Sequence, residues 1–168
     1  MIHAPDTSRT HPMGDRVRSA MFNILGDTVS GASVLDAFAG SGSIGLEALS
    51  RGAQHVTFLE RDQAACKVIT GNIATLDCDE STRLIRSSVT AWSEAHTDVT
   101  FDLIFADPPY HDMQFSTVAR LFKHLNLGGT MILSHPGRGE VPSGTKGIVV
   151  VDNRSYGNAN LAFFRRES

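Results

Sequence analysis

Phe101-Asp102-Leu103-Ile104-Phe105-Ala106-Asp107-Pro108-Pro109-Tyr110 reads as a buried strand running into a stiff turn. The apolar run has strand length and no helical spacing. Two consecutive prolines lack amide hydrogens and fix φ, so the strand stops there. Asp107 is thereby held at the strand's carboxyl end, with an aromatic ring at Tyr110. In an open α/β sheet, ligands bind at the carboxyl ends of the strands. The Asp107 carboxylate, the Pro108 carbonyl and the Tyr110 ring, set by the Pro109 turn, can together grip a flat group bearing an NH₂. The exocyclic amine of a nucleobase is such a group.

Outward from this turn, strand and helix signals alternate. Val17, Ala20, Met21, Ile24 and Leu25 share one helical face between Asp15 and Leu25, and Gly26 ends that helix. Strand 33–38 leads through a glycine loop into helix 43–50, and strand 56–60 into helix 62–76. A weak strand 82–86 and a short helix 90–95 precede strand 101–106. Helix 113–125, a turn at Leu127-Gly128-Gly129 and strand 130–135 follow. Residues 136–145 are rich in glycine and proline and read as a loop. Strands 147–151 and 161–165, joined by 152–160, close the chain. The pattern predicts an α/β fold: one doubly wound, mostly parallel seven-stranded sheet, helices on both faces and a C-terminal antiparallel hairpin. Residues 1–168 are expected to form a single domain, with 1–12 polar and mobile.

Composition narrows the function classes. The chain has 168 residues, 41% hydrophobic and 20% charged, which is ordinary for a globular domain and argues against disorder. No apolar run approaches the ~18 residues of a membrane span, and the start lacks the basic and apolar regions of a signal peptide. Cys66 and Cys78 form no CxxC pair, and the histidines show no HxxxH or HxH spacing. Metal binding and a disulfide framework are therefore not expected, and a reducing cytoplasm fits. No coiled-coil or interface pattern is evident, so a monomer is expected. The net charge of −3 lacks the strong basic excess of a dedicated nucleic-acid binder. Arg16, Arg18 and Arg154 are the candidates for phosphate contact.

The loop Asp36-Ala37-Phe38-Ala39-Gly40-Ser41-Gly42 is the second informative site. Glycines between a strand and its helix let the backbone approach a ligand closely. Gly40, Gly42 and Gly45 match the GxGxxG dinucleotide pattern, a weak signal when alone. Asp36 tilts away from a nicotinamide cofactor, because a carboxylate repels pyrophosphate but can hold an ammonium. Glu60 ends the next strand, about 20 residues past the loop, where an acidic side chain accepts ribose hydroxyls. The cofactor is expected to carry an adenosine ribose and a cationic tail, and S-adenosyl-L-methionine meets that description.

The segments 15–25, 34–53, 101–110 and 154–157 together resemble the class I S-adenosylmethionine-dependent methyltransferases, and among them the RsmD-type family. That family methylates the guanine N2 amine of 16S ribosomal RNA. The resemblance implies cofactor contacts around Asp36, Phe38, Gly40, Gly42 and Glu60, and target-base contacts from Asp107 through Tyr110. It implies ribosomal RNA or the small ribosomal subunit as partner. The sequence departs from the family pattern in three places. The basic hairpin that usually precedes the first helix is not found. His11-Pro12 stands for an Arg-Pro pair, and Arg86-Ser87-Ser88 stands where an acidic residue usually approaches the adenine, leaving Ser88 or a backbone amide to serve. Alternatives are an adenine-N6 methyltransferase acting on DNA or RNA, a catalytically silent RNA-binding relative, and a nicotinamide-dependent oxidoreductase.

Overall fold

A computed structural model of the chain describes residues 13–137, 145–157 and 159–168. The stretch 1–12, with His11-Pro12, and most of the 136–145 loop lie outside the described residues.

Seven strands form one sheet: β1 (Ser33–Asp36), β2 (His55–Glu60), β3 (Thr82–Arg86), β4 (Phe101–Ala106), β5 (Leu125–His135), β6 (Ile148–Tyr156) and β7 (Ala159–Arg166). Their spatial order is β3-β2-β1-β4-β5-β7-β6. The first five pair in parallel, and β7 inserts antiparallel between β5 and β6. The helices are α1 (Asp15–Leu25), α2 (Ser43–Ser50), α3 (Gln63–Thr75), α4 (Val89–Ala95) and α5 (Phe115–Arg120).

Strand alternation divides the core in two. Val34, Leu103, Phe105 and Ile132 face a cluster with Phe22 of α1, Leu46 of α2 and Ile69 of α3. Their neighbours Leu35, Ile104 and Met131 face Trp92 of α4 and Val118 of α5. Burying both faces is what makes the central strands continuously apolar. Local signals set the helix starts. The Asp62 carboxylate accepts from the Ala65 amide at 2.9 Å and caps α3, and the Ser88 hydroxyl does the same for α4 from the Ala91 amide at 3.1 Å. Gly45 fixes how closely α2 lies on β2: a Cβ there would fall 2.8 Å from Val56 and would strike the Phe58 ring.

Three sequence expectations need correction. The expected helix 113–125 is only α5, followed by a 3₁₀ turn at Leu121–His124. Gln114 enters it with φ 50°, a left-handed conformation that bars a regular helical start at 113. Strand β5 begins at Leu125, not 130, and runs through Gly128-Gly129 with a register shift against β4. Gly129 packs so closely on the Asn126 and Asp102 carbonyls, 2.9 and 3.1 Å from a would-be Cβ, that only glycine fits the irregularity. The closing strands are longer than expected, because 152–156 continues β6. Its polar run Asp152-Asn153-Arg154-Ser155 hid the strand: β6 is an edge strand with a solvated face, so the apolar pattern is missing.

Candidate active site

Parallel neighbours β1 and β4 send their chains to opposite faces, α2 with one core and α5 with the other. A crevice opens at such a switch point, outside the carboxyl ends of the strands. Here it is a cleft of about 430 Å³, well within the small-molecule range. Ala37 to Ser41 after β1, Leu59 to Gln63 around the end of β2, Arg86 to Val89 after β3, and Asp107 and Pro109 after β4 line it, with Met13 and Gln114.

The glycine loop is stitched to its neighbours: the Ala37 amide donates to the Phe105 carbonyl at 2.9 Å and the Ala39 amide to the Leu59 carbonyl at 3.0 Å. Gly40 has φ 57°, and no protein atom lies within 4 Å of where its Cβ would stand. That open space at the cleft wall is room for a ligand edge. Gly42 has φ 83° and starts α2, but it packs on Ile69 and Phe58 and does not line the cleft. Glu60 reaches across the loop. One carboxylate oxygen accepts from the Gly40 amide at 2.9 Å and the other from the Asp62 amide at 2.8 Å. Each oxygen keeps a lone pair for an incoming hydroxyl.

Asp36 and Asp107 carry the unusual electrostatics. Asp36 is fully buried beneath the cleft lining. One oxygen accepts from the Gly45 amide at 3.0 Å; the other, Oδ1, is buried without a partner. Asp107 Oδ1 is likewise buried and unpartnered. Burial raises the Asp36 carboxyl from 3.8 to about 7, opposed by the Gly45 hydrogen bond and reinforced by Glu60. Burial also raises Asp107 to about 7, opposed by the Ser134 side chain and the Met13 backbone and reinforced by Asp36. Orphaned carboxylate oxygens at mutually repelling sites call for a donor or a cation. A sulfonium or ammonium group satisfies that demand; a pyrophosphate does not. The residues present therefore fit S-adenosylmethionine and disfavour a nicotinamide dinucleotide.

Of the sequence candidates, Phe38, Gly40, Glu60, Ser88, Asp107 and Pro109 line one cleft. Pro108 is buried behind it, and Tyr110 stands outside the lining, half-buried, with its hydroxyl 2.6 Å from Ser134 Oγ. Arg16 and Arg18 lie on α1, away from the lining. The Arg18 guanidinium contacts Glu47 of α2 at 2.8 Å and Asp15 at 3.0 Å. Arg154 is exposed on β6 and pairs with Asp152 at 2.9 Å. Sequence reading missed Met13, Arg61, Gln63, Arg86, Gln114 and Ser134. Arg61 and Gln63 flank the strand-end Glu60 and Arg86 ends β3, so strand-end position was a usable signal for them. Met13, Gln114 and Ser134 depend on tertiary packing. Among the described residues, no helix is long and apolar enough to cross a membrane, and no group of His, Cys, Asp and Glu is placed to hold a metal ion.

This sheet order, with a glycine loop, a strand-end glutamate and an Asp-Pro-Pro-Tyr turn at one edge, defines a Rossmann-like class I methyltransferase, whose cofactor is S-adenosyl-L-methionine. The chain belongs to the RsmD-type family, whose model, described as "Conserved hypothetical protein 95", matches residues 1–165. A Bacillus subtilis relative, "Putative rRNA methyltransferase YlbH", is 30% identical over 162 residues, 94% of this chain and 88% of its own length. The Haemophilus influenzae "Ribosomal RNA small subunit methyltransferase D" is 41% identical over 102 residues, 60% of this chain; the match spans 53%, about half, of that relative. The solved "Putative methyltransferase yhhF from Escherichia coli" superposes with a TM-score of 0.86 at 28% identity, over 99% of this chain and 91% of its own.

Proposed function

We propose that this protein transfers a methyl group from S-adenosyl-L-methionine to the exocyclic N2 amine of a guanine in small-subunit (16S) ribosomal RNA. The observation that carries the reading is Asp107: a carboxylate lining the cleft at the end of β4, with one buried oxygen left unpartnered. The names of the Bacillus and Haemophilus relatives support ribosomal RNA as the substrate class. Such a reaction belongs in the cytoplasm, beside the ribosomes.

When bound, S-adenosylmethionine supplies an electrophilic methyl group on a sulfonium. The protein's task is to make a poor nucleophile reactive, since an aromatic amine delocalises its lone pair into the ring. The Asp107 carboxylate accepts one N–H and the Pro108 carbonyl the other, which favours a pyramidal nitrogen with its lone pair aimed into the cleft. Asp107 stabilises the positive charge that develops on nitrogen. With its pKa raised to about 7, it can also take the proton that the methylated amine sheds. The Tyr110 ring offers a stacking face to a base drawn out of its stack. Glu60 holds the ribose, Gly40 and Phe38 flank the cofactor, and Ser88 serves at the adenine end. Asp36 supports the loop through Gly45 and faces the cationic part of the cofactor electrostatically. Arg16 and Arg154 serve as phosphate contacts.

The test is mass mapping of nucleosides after incubation with labelled cofactor and either small subunits or free 16S RNA. The reading expects N2-methylguanosine. N6-methyladenosine would move the assignment to an adenine enzyme, and absence of any methylated nucleoside with cofactor bound would favour a silent RNA-binding relative.

A further inference from the structure

We propose that Gln114 reads the target base: its carboxamide pairs with the N1–H and O6 of a guanine whose N2 amine lies at Asp107, and so sets guanine apart from other amine-bearing bases. The inference deepens the proposed reaction and rests on it.

Gln114 lies on the loop that follows β4, as Asp107 does, and both line the cleft. It breaks two local rules at once. Its φ of 50° and ψ of 48° are left-handed, a conformation that strains a long side chain and that glycine adopts freely. Asp77, the other non-glycine residue with positive φ among the described residues, follows α3, where a left-handed residue is an ordinary way to stop a helix. Gln114 instead precedes α5, where the backbone is normally extended and the side chain caps the helix. Asp62 and Ser88 do this for α3 and α4. The Gln114 side chain makes no capping bond, and among the described residues its half-buried carboxamide has no hydrogen-bond partner to offset the strain. Backbone strain of this kind collects where a site needs a side chain held in place.

Position selects the ligand. The other polar residues of the described lining, apart from Asp107, belong to the glycine loop and α2 or stand at the ends of β2 and β3, the side given to the cofactor. Gln114 is what the β4 side adds to Asp107. Met13 belongs to the first core cluster, whereas Met113 and Phe115, on either side of Gln114, pack on the second, so the cleft is walled from both faces of the sheet. A guanine with its N2 amine at Asp107 carries the N1–H donor beside that amine and the O6 acceptor beyond it. A carboxamide offers the matching pair, an accepting oxygen and a donating NH₂. An adenine held by its N6 amine presents N1 alone on the same edge, so half of the carboxamide goes unpaired. Polar groups left unpaired are how a closed site rejects the wrong ligand.

The experiment uses the full chain, unmodified and as Gln114→Gly and Gln114→Glu. Gln114→Gly removes the carboxamide at a backbone position that favours glycine, so a merely structural role predicts an unharmed enzyme. The substrates are 16S RNA, free or assembled, with guanine or 2-aminopurine at the mapped position. 2-Aminopurine keeps the reactive amine and lacks both O6 and N1–H. The unmodified protein should prefer guanine by about thirtyfold in kcat/KM, the scale of two neutral hydrogen bonds. Gln114→Gly should unfold at no lower denaturant concentration and bind S-adenosylhomocysteine as before. It should lose most of that preference, through slower methylation of guanine RNA and not of 2-aminopurine RNA. Gln114→Glu turns a repelling oxygen toward O6 and should lose the preference too. A guanine preference that survives in Gln114→Gly, or an equal loss on both RNAs, overturns the proposal. A loss of cofactor affinity that matches the lost rate does so as well, by placing Gln114 on the cofactor. Should Gln114→Gly fail to fold, the same comparison in Gln114→Glu decides. N6-methyladenosine as the mapped product ends the guanine reading and this inference together. N2-methylguanosine with an indifferent Gln114→Gly leaves the reading standing and sinks the inference alone.

Discussion

The Gly40 amide donates to the Glu60 carboxylate at 2.9 Å, tying the ligand-facing bend of the first loop to the end of the second strand. Glu60 thus does two things: it fixes the loop and keeps lone pairs for a ribose. Replacing it with Ala should weaken S-adenosylmethionine binding by ~1.5–3 kcal/mol, the cost of losing hydrogen bonds to a charged group. Glu60→Gln should lose less, since its carbonyl can still take the Gly40 amide. Calorimetric titration checks both, and an unchanged affinity in Glu60→Ala would remove the residue from the site.

Cofactor affinity should rise with pH between about 6 and 8. Asp36 and Asp107 both have carboxyls raised to about 7 by burial, so a cation entering the cleft binds better once they ionise, and its binding should release protons. Without ligand the same groups act on stability in the opposite sense. Their folded pKa lies above the ordinary 3.8, so the folded chain holds protons the unfolded chain sheds. Their stabilising contribution is whole below that value and is lost as pH climbs through about 7. His124 works at the acid end. Buried, with its ring nitrogens engaged by the Val99 carbonyl and Ser93, its pKa is depressed below 6.5. Its contribution is present above that value and is lost as pH falls. Calorimetry in buffers of differing ionisation enthalpy measures the proton release; flat affinity across the range would show that no cation meets these carboxylates.

The glycines of the loop should separate by phenotype. Gly45→Ala pushes a methyl into Phe58 and Val56 and should cost ~1–3 kcal/mol of stability, as overpacking does. Gly40→Ala meets no protein atom within 4 Å, but its φ of 57° strains any side chain and the methyl points into ligand space. It should cost ~1 kcal/mol in stability and more than that in cofactor affinity. Denaturant unfolding and binding titration of the pair distinguish the roles; equal binding losses would contradict the division.

Much of this site was legible because its residues sit where strands end. Asp36, Glu60 and Asp107 each close an apolar run, so sequence alone placed them at the carboxyl edge of the sheet, Glu60 and Asp107 in the cleft lining and Asp36 beneath it. What sequence does not carry is how side chains are already engaged. Arg18 looks like a free cation in the sequence, yet Glu47 holds it, and Glu47 also takes Arg51 at 2.8 Å while Arg51 lies over Phe22. That network joins α1 to α2, elements whose contact no local pattern announces. Ser134 was illegible for the same reason: a serine in an apolar strand gains meaning only when β5 pairs with β4. Edge strand β6 was shortened because the apolar period that marks a strand depends on burial, which an edge lacks.

Asp107→Asn is the sharpest test of the catalytic reading. The change is nearly isosteric, so the fold should survive, and removing a buried like charge should slightly favour the folded state, since Asp36 opposes the ionisation of Asp107. Asparagine can still accept one hydrogen bond through its carbonyl oxygen. It cannot balance charge developing on the amine or take its proton. Turnover should therefore fall by ~10²-fold or more, the scale of losing one polar stabiliser of a transition state. Cofactor binding should be little changed below about pH 6 and weaker above about pH 7, so its rise with pH should become shallower, because one of two ionising carboxylates is gone. Single-turnover methylation and titration across pH measure the two effects together. Full activity with an unaltered pH dependence would place the chemistry elsewhere in the turn. A lost rate with an unaltered pH dependence of binding would leave Asp36 as the carboxylate that senses the cofactor's charge.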